Sequence, residues 1–241
     1  MPLLNENSNS HETNLEISVA ARSSELSQTQ VKEVLEGLHL HYPQVTFTTT
    51  SLETTGDIDQ TTSLRNLGKT DFFTAQVDRF QLEGKCRVSI HSAKDLPEPL
   101  ANGLTIAAIT KGLDPSDSLV LRQSQKTTDL STVSLIATSS IRREEAAKSL
   151  VPHAKFTDLR GDIKKRLSLL DKGSVDGVIV AEAALIRLGL TDLNRVKLPG
   201  ETTALQGQLA IVVRNDDNEM IEMFSCLDER KKDSLLRSRP E

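Results

Sequence analysis

Apolar positions along the chain follow two rhythms in alternation: short runs with the two-residue period of a strand, and longer stretches in which they return every third or fourth residue. Ile17-Ser18-Val19-Ala20-Ala21 predicts a first strand, and Val31, Val34, Leu35 and Leu38 predict a helix after it with Ser24 as N-cap. Val45 to Thr50 is rich in β-favouring residues and should pair beside the first strand. The stretch from Thr54 to Thr70 is polar and punctuated by Gly56 and Gly68, so it reads as a mobile lid rather than a tight connection. Phe72, Phe73, Val77 and Phe80 return at helical spacing, which favours a core role for the three phenylalanines over a ligand platform. Cys86 to Ile90 alternates as a half-buried strand does. It runs into His91-Ser92-Ala93-Lys94-Asp95-Leu96-Pro97, where proline ends the run and leaves Lys94 and Asp95 on the loop beyond the strand's carboxyl end.

The second half repeats this arrangement. Leu104 to Ile109 predicts a strand, Gly112 to Asp117 a turn-rich crossing, and Ser134 to Ala137 a strand that passes through Thr138-Ser139-Ser140-Ile141-Arg142-Arg143 into a helix. Phe156 to Leu159 leads past Arg160-Gly161-Asp162 to a helix with Ile163, Leu167 and Leu170 on one face and Gly173 at its stop. Val175 to Ala181 is the most apolar strand of this half and should be central; Ala183, Ala184, Leu185 and Leu188 form a short helix ended by Gly189. Leu209 to Arg214 predicts a last strand that returns to the first unit. Met220, Ile221, Phe224 and Leu227 follow on a short amphipathic helix before a charged tail. The expected class is α/β with two domains, 15–111 together with 209–236, and 112–208. Residues 1–14 are polar, lack the apolar run of a signal peptide, and are expected to be a disordered terminus.

Composition narrows the partners. A chain of 241 residues with 37% hydrophobic and 26% charged residues can bury the cores of two modest domains and stay soluble. A net charge of -5, 3% aromatic residues and no Trp argue against a nucleic-acid partner, and no apolar run approaches a membrane span. Cys86 and Cys226 form neither a metal-ligand spacing nor a disulfide framework, so no metal site is expected and a cytoplasmic setting fits best.

Within this acidic protein, Arg22, Lys94, Arg142, Arg143 and Arg160 all fall at predicted strand-to-loop junctions, where ligands bind in open α/β sheets. Guanidinium forks suit carboxylates and phosphates, so a cleft lined by them calls for a polyanionic ligand. Other readings stay open: Arg22 can be a solvated loop residue, and the adjacent Arg142 and Arg143 can be offset by Glu144 and Glu145 rather than by a ligand. Asp95 can stabilise a developing cation or cycle a proton on a substrate nitrogen, or it can cap its own loop beside Lys94.

Several segments resemble the porphobilinogen deaminase (hydroxymethylbilane synthase) family in order: Ala21-Arg22-Ser23-Ser24-Glu25-Leu26, Thr55-Gly56-Asp57, His91 to Pro97, Asp114-Pro115-Ser116-Asp117, Ala137 to Arg143, Leu159-Arg160-Gly161, Arg187-Leu188-Gly189-Leu190 and Gln206-Gly207. The resemblance implies two domains of the type II periplasmic-binding-protein kind around a cleft. It implies head-to-tail condensation of four porphobilinogen units to hydroxymethylbilane with release of ammonia, a step of tetrapyrrole and haem biosynthesis, on a dipyrromethane cofactor. By the same transfer Asp95 is catalytic, Arg22, Ser24, Lys94, Ser139, Arg142, Arg143 and Arg160 hold acetate and propionate groups, Asp57 and Lys69 belong to the lid, and the protein works as a monomer. Departures are expected to matter. The family's third domain, with the cysteine that carries the cofactor, has no counterpart in the sequence, which leaves Cys226 as a possible substitute. The Gly-Lys-Gly-Leu-Phe lid pattern is Lys69-Thr70-Asp71-Phe72-Phe73, Arg-Gly-Asn is Arg160-Gly161-Asp162, and the Gly-Gln-Gly hinge is Leu205-Gln206-Gly207. The alternative is a polycarboxylate- or pyrrole-binding protein that has lost turnover.

Overall fold

The computed structural model describes residues 15–65 and 67–230; the expected disordered segment 1–14 and the end of the charged tail lie outside them. The chain runs β1 (Glu16–Arg22), α1 (Glu25–His39), β2 (Thr46–Leu52), α2 (Thr55–Ile58), α3 (Ala75–Leu82), β3 (Val88–Ser92) and β4 (Leu104–Ile109). It continues through β5 (Asp117–Leu121), β6 (Leu135–Ala137), α4 (Ile141–Leu150), β7 (Lys155–Thr157), α5 (Ile163–Asp171), β8 (Gly177–Ala181), α6 (Glu182–Arg187) and β9 (Arg195–Lys197). It closes with β10 (Leu209–Arg214) and α7 (Asn218–Phe224). Two five-stranded sheets result, ordered β2-β1-β3-β10-β4 and β7-β6-β8-β5-β9. β10 returns to the first sheet and lies antiparallel between β3 and β4.

Each sheet is covered on both faces, which is why its inner strands are mostly buried and rich in apolar residues. On one side of the first sheet, Ile17, Val19 and Ile90 pack against Val31, Val34 and Leu38 of α1 and Met220 and Phe224 of α7. On the other, Ala20 and Cys86 meet Val77 of α3. In the second sheet Leu119, Ile136 and Ile179 face Ala147 and Val151, while Val120 and Val178 face Leu159, Leu170 and Leu185. β8, the third of five strands, is buried along its whole length.

Three expectations need correction. β3 is not half-buried: Val88 to His91 are all buried, because the strand lies between β1 and β10 beneath helices on both faces. The crossing at 112–117 leads directly into β5, a fully buried antiparallel strand next to β8 that the sequence pattern did not separate from the turn. The polar lid is not all loop, since Thr54 to Asp57 form a capping box that starts the single turn α2.

Candidate active site

A cavity of about 740 Å³ lies where strand ends of the two sheets face each other. The first sheet supplies Arg22 at the end of β1, Ser24 at the start of α1, and Lys94 and Asp95 on the 3₁₀ turn Ala93–Asp95 that follows β3. The second supplies Ser139 and Arg143 around the β6–α4 junction, Arg160 ahead of α5, Arg166 on α5 and Arg187 at the end of α6. Two serines are committed to local structure: Ser24 Oγ accepts from the Ser27 N–H at 3.3 Å, and the Ser139 hydroxyl donates to the Leu159 carbonyl.

The polar segment around α2 packs over these arginines. Asp57 accepts from Arg22 through both carboxylate oxygens (Nε to Oδ2, 3.2 Å) and from the Thr54 N–H at 3.0 Å. Burial opposes the charge of Asp57, yet the Arg22 guanidinium beside it holds the carboxyl below its usual range. Arg160 donates to the carbonyls of Gly56 (3.2 Å) and Asp59, and Arg65 reaches across to Glu144 (2.7 Å) and the Thr138 carbonyl (3.3 Å). The Arg22 guanidinium lies 4.7 Å from the Phe73 ring centroid, and that of Arg160 lies 5.7 Å from Phe72. Thus Phe72 and Phe73 are not core residues. They stack on the cavity's arginines, and Phe73 presses so closely on Gly56 that a Cβ there would meet its ring at 2.2 Å. Of the four helically spaced residues, Val77 alone is fully enclosed.

Within the protein, Arg142 and Arg143 are offset by Asp117 rather than by Glu144 or Glu145. Both pair with Asp117, whose side chain is 1% exposed: Arg142 Nη2 lies 2.5 Å from Oδ2 and Arg143 Nε 2.9 Å from Oδ1. Burial again works against the Asp117 charge, and the two guanidiniums override it. Glu144 pairs instead with Arg65 and Lys148. Arg187 is held by Glu33 of α1 at 2.6 Å. Three cations of the cavity remain without a carboxylate partner among the described residues: Lys94, Arg160 and Arg166. Burial, helped by Arg143, pushes Lys94 down to about 8; burial, with Arg143 and Arg160, brings Arg166 to about 10. The Arg160 Nε is buried with no hydrogen-bond partner. Asp95 also lines the cavity, half-buried and without a hydrogen bond or ion pair to any described residue. Uncompensated cations around one unpartnered carboxylate suit a ligand that brings several carboxylates and develops positive charge between them.

Some expected residues are not brought here. Arg142 turns away from the cavity toward Asp117 and the Glu201 carbonyl. Lys69 pairs with Glu98 on the surface. Cys226, on the turn Ser225–Leu227, packs against the α1–α7 core with Sγ 3.2 Å from the Met223 carbonyl oxygen, and burial pushes its thiol up. Cys86 is buried beneath α3, so neither cysteine lines the cavity. Asp162 does line the cavity, but its carboxylate is engaged locally: it caps α5 by accepting from the Lys165 N–H at 2.8 Å and lies 3.5 Å from Lys165 Nζ. The sequence reading missed Lys164, Lys165 and Arg166, although three cations in the first turn of α5 oppose the helix dipole as Arg142 and Arg143 do in α4. Among the described residues no group of three or more His, Cys, Asp or Glu could hold a metal ion, and no helix is long and apolar enough to cross a membrane.

Residues 17–222 match the family model described as porphobilinogen deaminase, dipyromethane cofactor binding domain. A Chlamydia pneumoniae protein named "Probable porphobilinogen deaminase" is 36% identical over 207 residues, covering 86% of this chain and 88% of its own length. A porphobilinogen deaminase of Prochlorococcus marinus subsp. pastoris is 34% identical over 224 residues, 90% of this chain and 71% of that protein. Among solved structures, an ancestral cationic amino acid solute binding protein matches with a TM-score of 0.55 at 12% identity over 91% of both chains, a likeness of fold alone. The two sheets are those of a type II periplasmic-binding-protein architecture.

Proposed function

This chain belongs to the porphobilinogen deaminase family, and from that membership we propose how its own residues carry the family's reaction. The activity is head-to-tail condensation of four porphobilinogen molecules to hydroxymethylbilane, with one ammonia released per unit. The alternative of a binding protein without turnover has no support among the relatives. When bound, the family's dipyrromethane supplies the pyrrole end to which the first substrate unit is joined. The cavity fits such a group through its cations: Lys94, Arg160 and Arg166, which have no carboxylate partner among the described residues, would hold carboxylates, with Arg22 and Arg143 beside them.

Asp95 is the catalytic group. As ammonia leaves the aminomethyl carbon, positive charge spreads into the pyrrole and its nitrogen, and a carboxylate with no competing partner stabilises it. The same carboxylate serves again when the new carbon–carbon bond forms and the attacked ring sheds its proton. The two sheets with their helices act as domains, 15–111 with the return from 209, and 112–208, and the lid contacts of Arg160 and Arg65 span them. On this reading the protein is a cytoplasmic monomer: the two cysteines without disulfide spacing suit a reducing compartment, and the acidic net charge with few aromatic residues speaks against a nucleic-acid partner.

The observation that carries this reading is Asp95, without a hydrogen bond or ion pair to any described residue, among three cations that lack a carboxylate partner there. Purified protein incubated with porphobilinogen should give uroporphyrin after oxidation. Asp95→Asn should lower turnover by roughly 10²- to 10⁴-fold with only a few-fold change in KM. A parallel loss of binding would make Asp95 structural, and a wild-type protein that forms no product would end the enzyme reading.

A further inference from the structure

Lys94 and Arg143 come from opposite sheets yet converge on one atom. The Gln206 Oε1 accepts from Lys94 Nζ at 3.1 Å and from Arg143 Nη2 at 3.4 Å. Two cations so close repel one another, and an anion behind the shared oxygen offsets that repulsion. Asp117 is that anion: Gln206 Nε2 donates to its Oδ1 at 2.9 Å, Arg143 Nε donates to the same oxygen at 2.9 Å, and Arg142 takes the other oxygen. Gln206 is fixed further by donation to the Pro115 carbonyl at 2.6 Å, and both Gln206 and Asp117 are almost wholly buried. Neither lines the cavity, whereas both cations do.

We propose, resting on the function assigned above, that Asp117 and Gln206 form a positioning bridge between the sheets that sets Lys94 and Arg143 side by side as a paired seat for a substrate carboxylate. Asp117 aims Arg143 directly and Lys94 through the Gln206 amide. Its charge also offsets the mutual repulsion of the two cations. The charged groups facing Lys94 are Arg143, Asp95, Asp117 and Arg166; burial with Arg143 brings it down to about 8, and the Asp95 and Asp117 charges both act against that fall. Arg142, behind the bridge, keeps Asp117 ionised and needs no contact with ligand.

The test compares the full-length wild type with Asp117→Asn and Gln206→Met. In Asp117→Asn the KM for porphobilinogen should rise by about tenfold or more near pH 7.5, with kcat changed much less, and the rise should shrink but not vanish near about pH 6, where Lys94 is protonated again while Arg143 still lacks its anchor. Gln206→Met spares the Asp117 pairs, so it serves if the first variant does not fold; it should raise KM in the same direction by a smaller factor. Asp117→Glu should restore the wild-type pH dependence. Independently of turnover, the NMR titration of the Lys94 side chain should have its midpoint near 8 in the wild type and lower in both the Asn and Met variants. A wild type without turnover would overturn the function reading while the Lys94 titration still decided the bridge. Variants that lose thermal stability but keep the wild-type KM profile and Lys94 midpoint would overturn the proposal.

Discussion

His91 lies on β3, the strand that carries Lys94 and Asp95 beyond its end, and it is 5% exposed. Its Nε2 is 3.0 Å from Ser89 Oγ, and the Ser89 hydroxyl already donates to Gln81 Oε1 at 2.8 Å. The imidazole must therefore donate through Nε2 to Ser89, as part of a buried Gln81–Ser89–His91 network. Burial, and then the Arg22 charge, lower its pKa to about 4. The unfolded chain, with an ordinary histidine near 6.5, takes up the proton first on acidification, so between about pH 4 and 6.5 stability rises with pH. The full difference corresponds to roughly 3 kcal/mol. Thermal unfolding should therefore show Tm falling as pH drops through this window, and His91→Asn, whatever its cost at neutral pH, should flatten that slope. A wild-type Tm constant from pH 6.5 to 4 would contradict the assignment. Backbone strain gathers at a different residue, Leu205, which holds φ +60° two positions before Gly207 at φ +88°. At Gly207 a Cβ would stand 2.7 Å from the Leu113 carbonyl oxygen, so only glycine fits where the chain crosses back toward the first sheet.

Among elements, the lid is where sequence and structure diverge most usefully. Its polarity and glycines mark a segment free to move, but its closure depends on contacts to residues distant in the chain: Arg65 to Glu144 and Thr138, and Arg160 to Gly56 and Asp59. No local pattern reveals those. The Arg65–Glu144 pair is largely shielded from water, so truncating Arg65 should cost about 1–2 kcal/mol of lid closure. Arg65→Ala should then speed proteolytic cutting between residues 54 and 70 by roughly 5- to 30-fold while leaving global unfolding nearly unchanged. An unchanged cutting rate would show that Phe72 and Phe73 hold the lid without it. The strand-to-helix junctions were legible because each joins a period-2 run to a period-3.6 run, and they placed Arg22, Lys94, Asp95, Arg143 and Arg160 at one cavity. β5 was not legible: it opens on Asp117 and Ser118, which continue the polar turn Asp114-Pro115-Ser116 and leave only Leu119-Val120-Leu121 as an apolar signal, and its neighbour β9 is three residues long and paired only through it. Phe72 and Phe73 were misread because helical spacing continues through the turn Asp71–Phe73 into α3, although that turn faces the arginines.

At the scale of the molecule, a protein of net charge -5 encloses a cavity whose lining holds eight Lys and Arg residues against five Asp and Glu. Five of the cations are answered within the protein, Arg22 by Asp57, Arg143 by Asp117, Lys164 by Glu25, Lys165 by Asp162 and Arg187 by Glu33. Long-range attraction of an anionic substrate must therefore come from Lys94, Arg160 and Arg166, working against an acidic exterior. Low-dielectric walls focus that field, and mobile ions screen it over about 10 Å at 0.1 M salt. Raising NaCl from about 0.05 M to about 0.5 M should thus increase KM for porphobilinogen by roughly three- to tenfold while kcat stays nearly constant, because a carboxylate once seated is screened far less. The same salt series on Arg166→Gln should start from a higher KM and rise less steeply, since one of three unanswered cations is gone. A KM indifferent to salt in both proteins would mean that the cavity's cations are spent on the fold, and that the ligand is recognised by shape and hydrogen bonds instead.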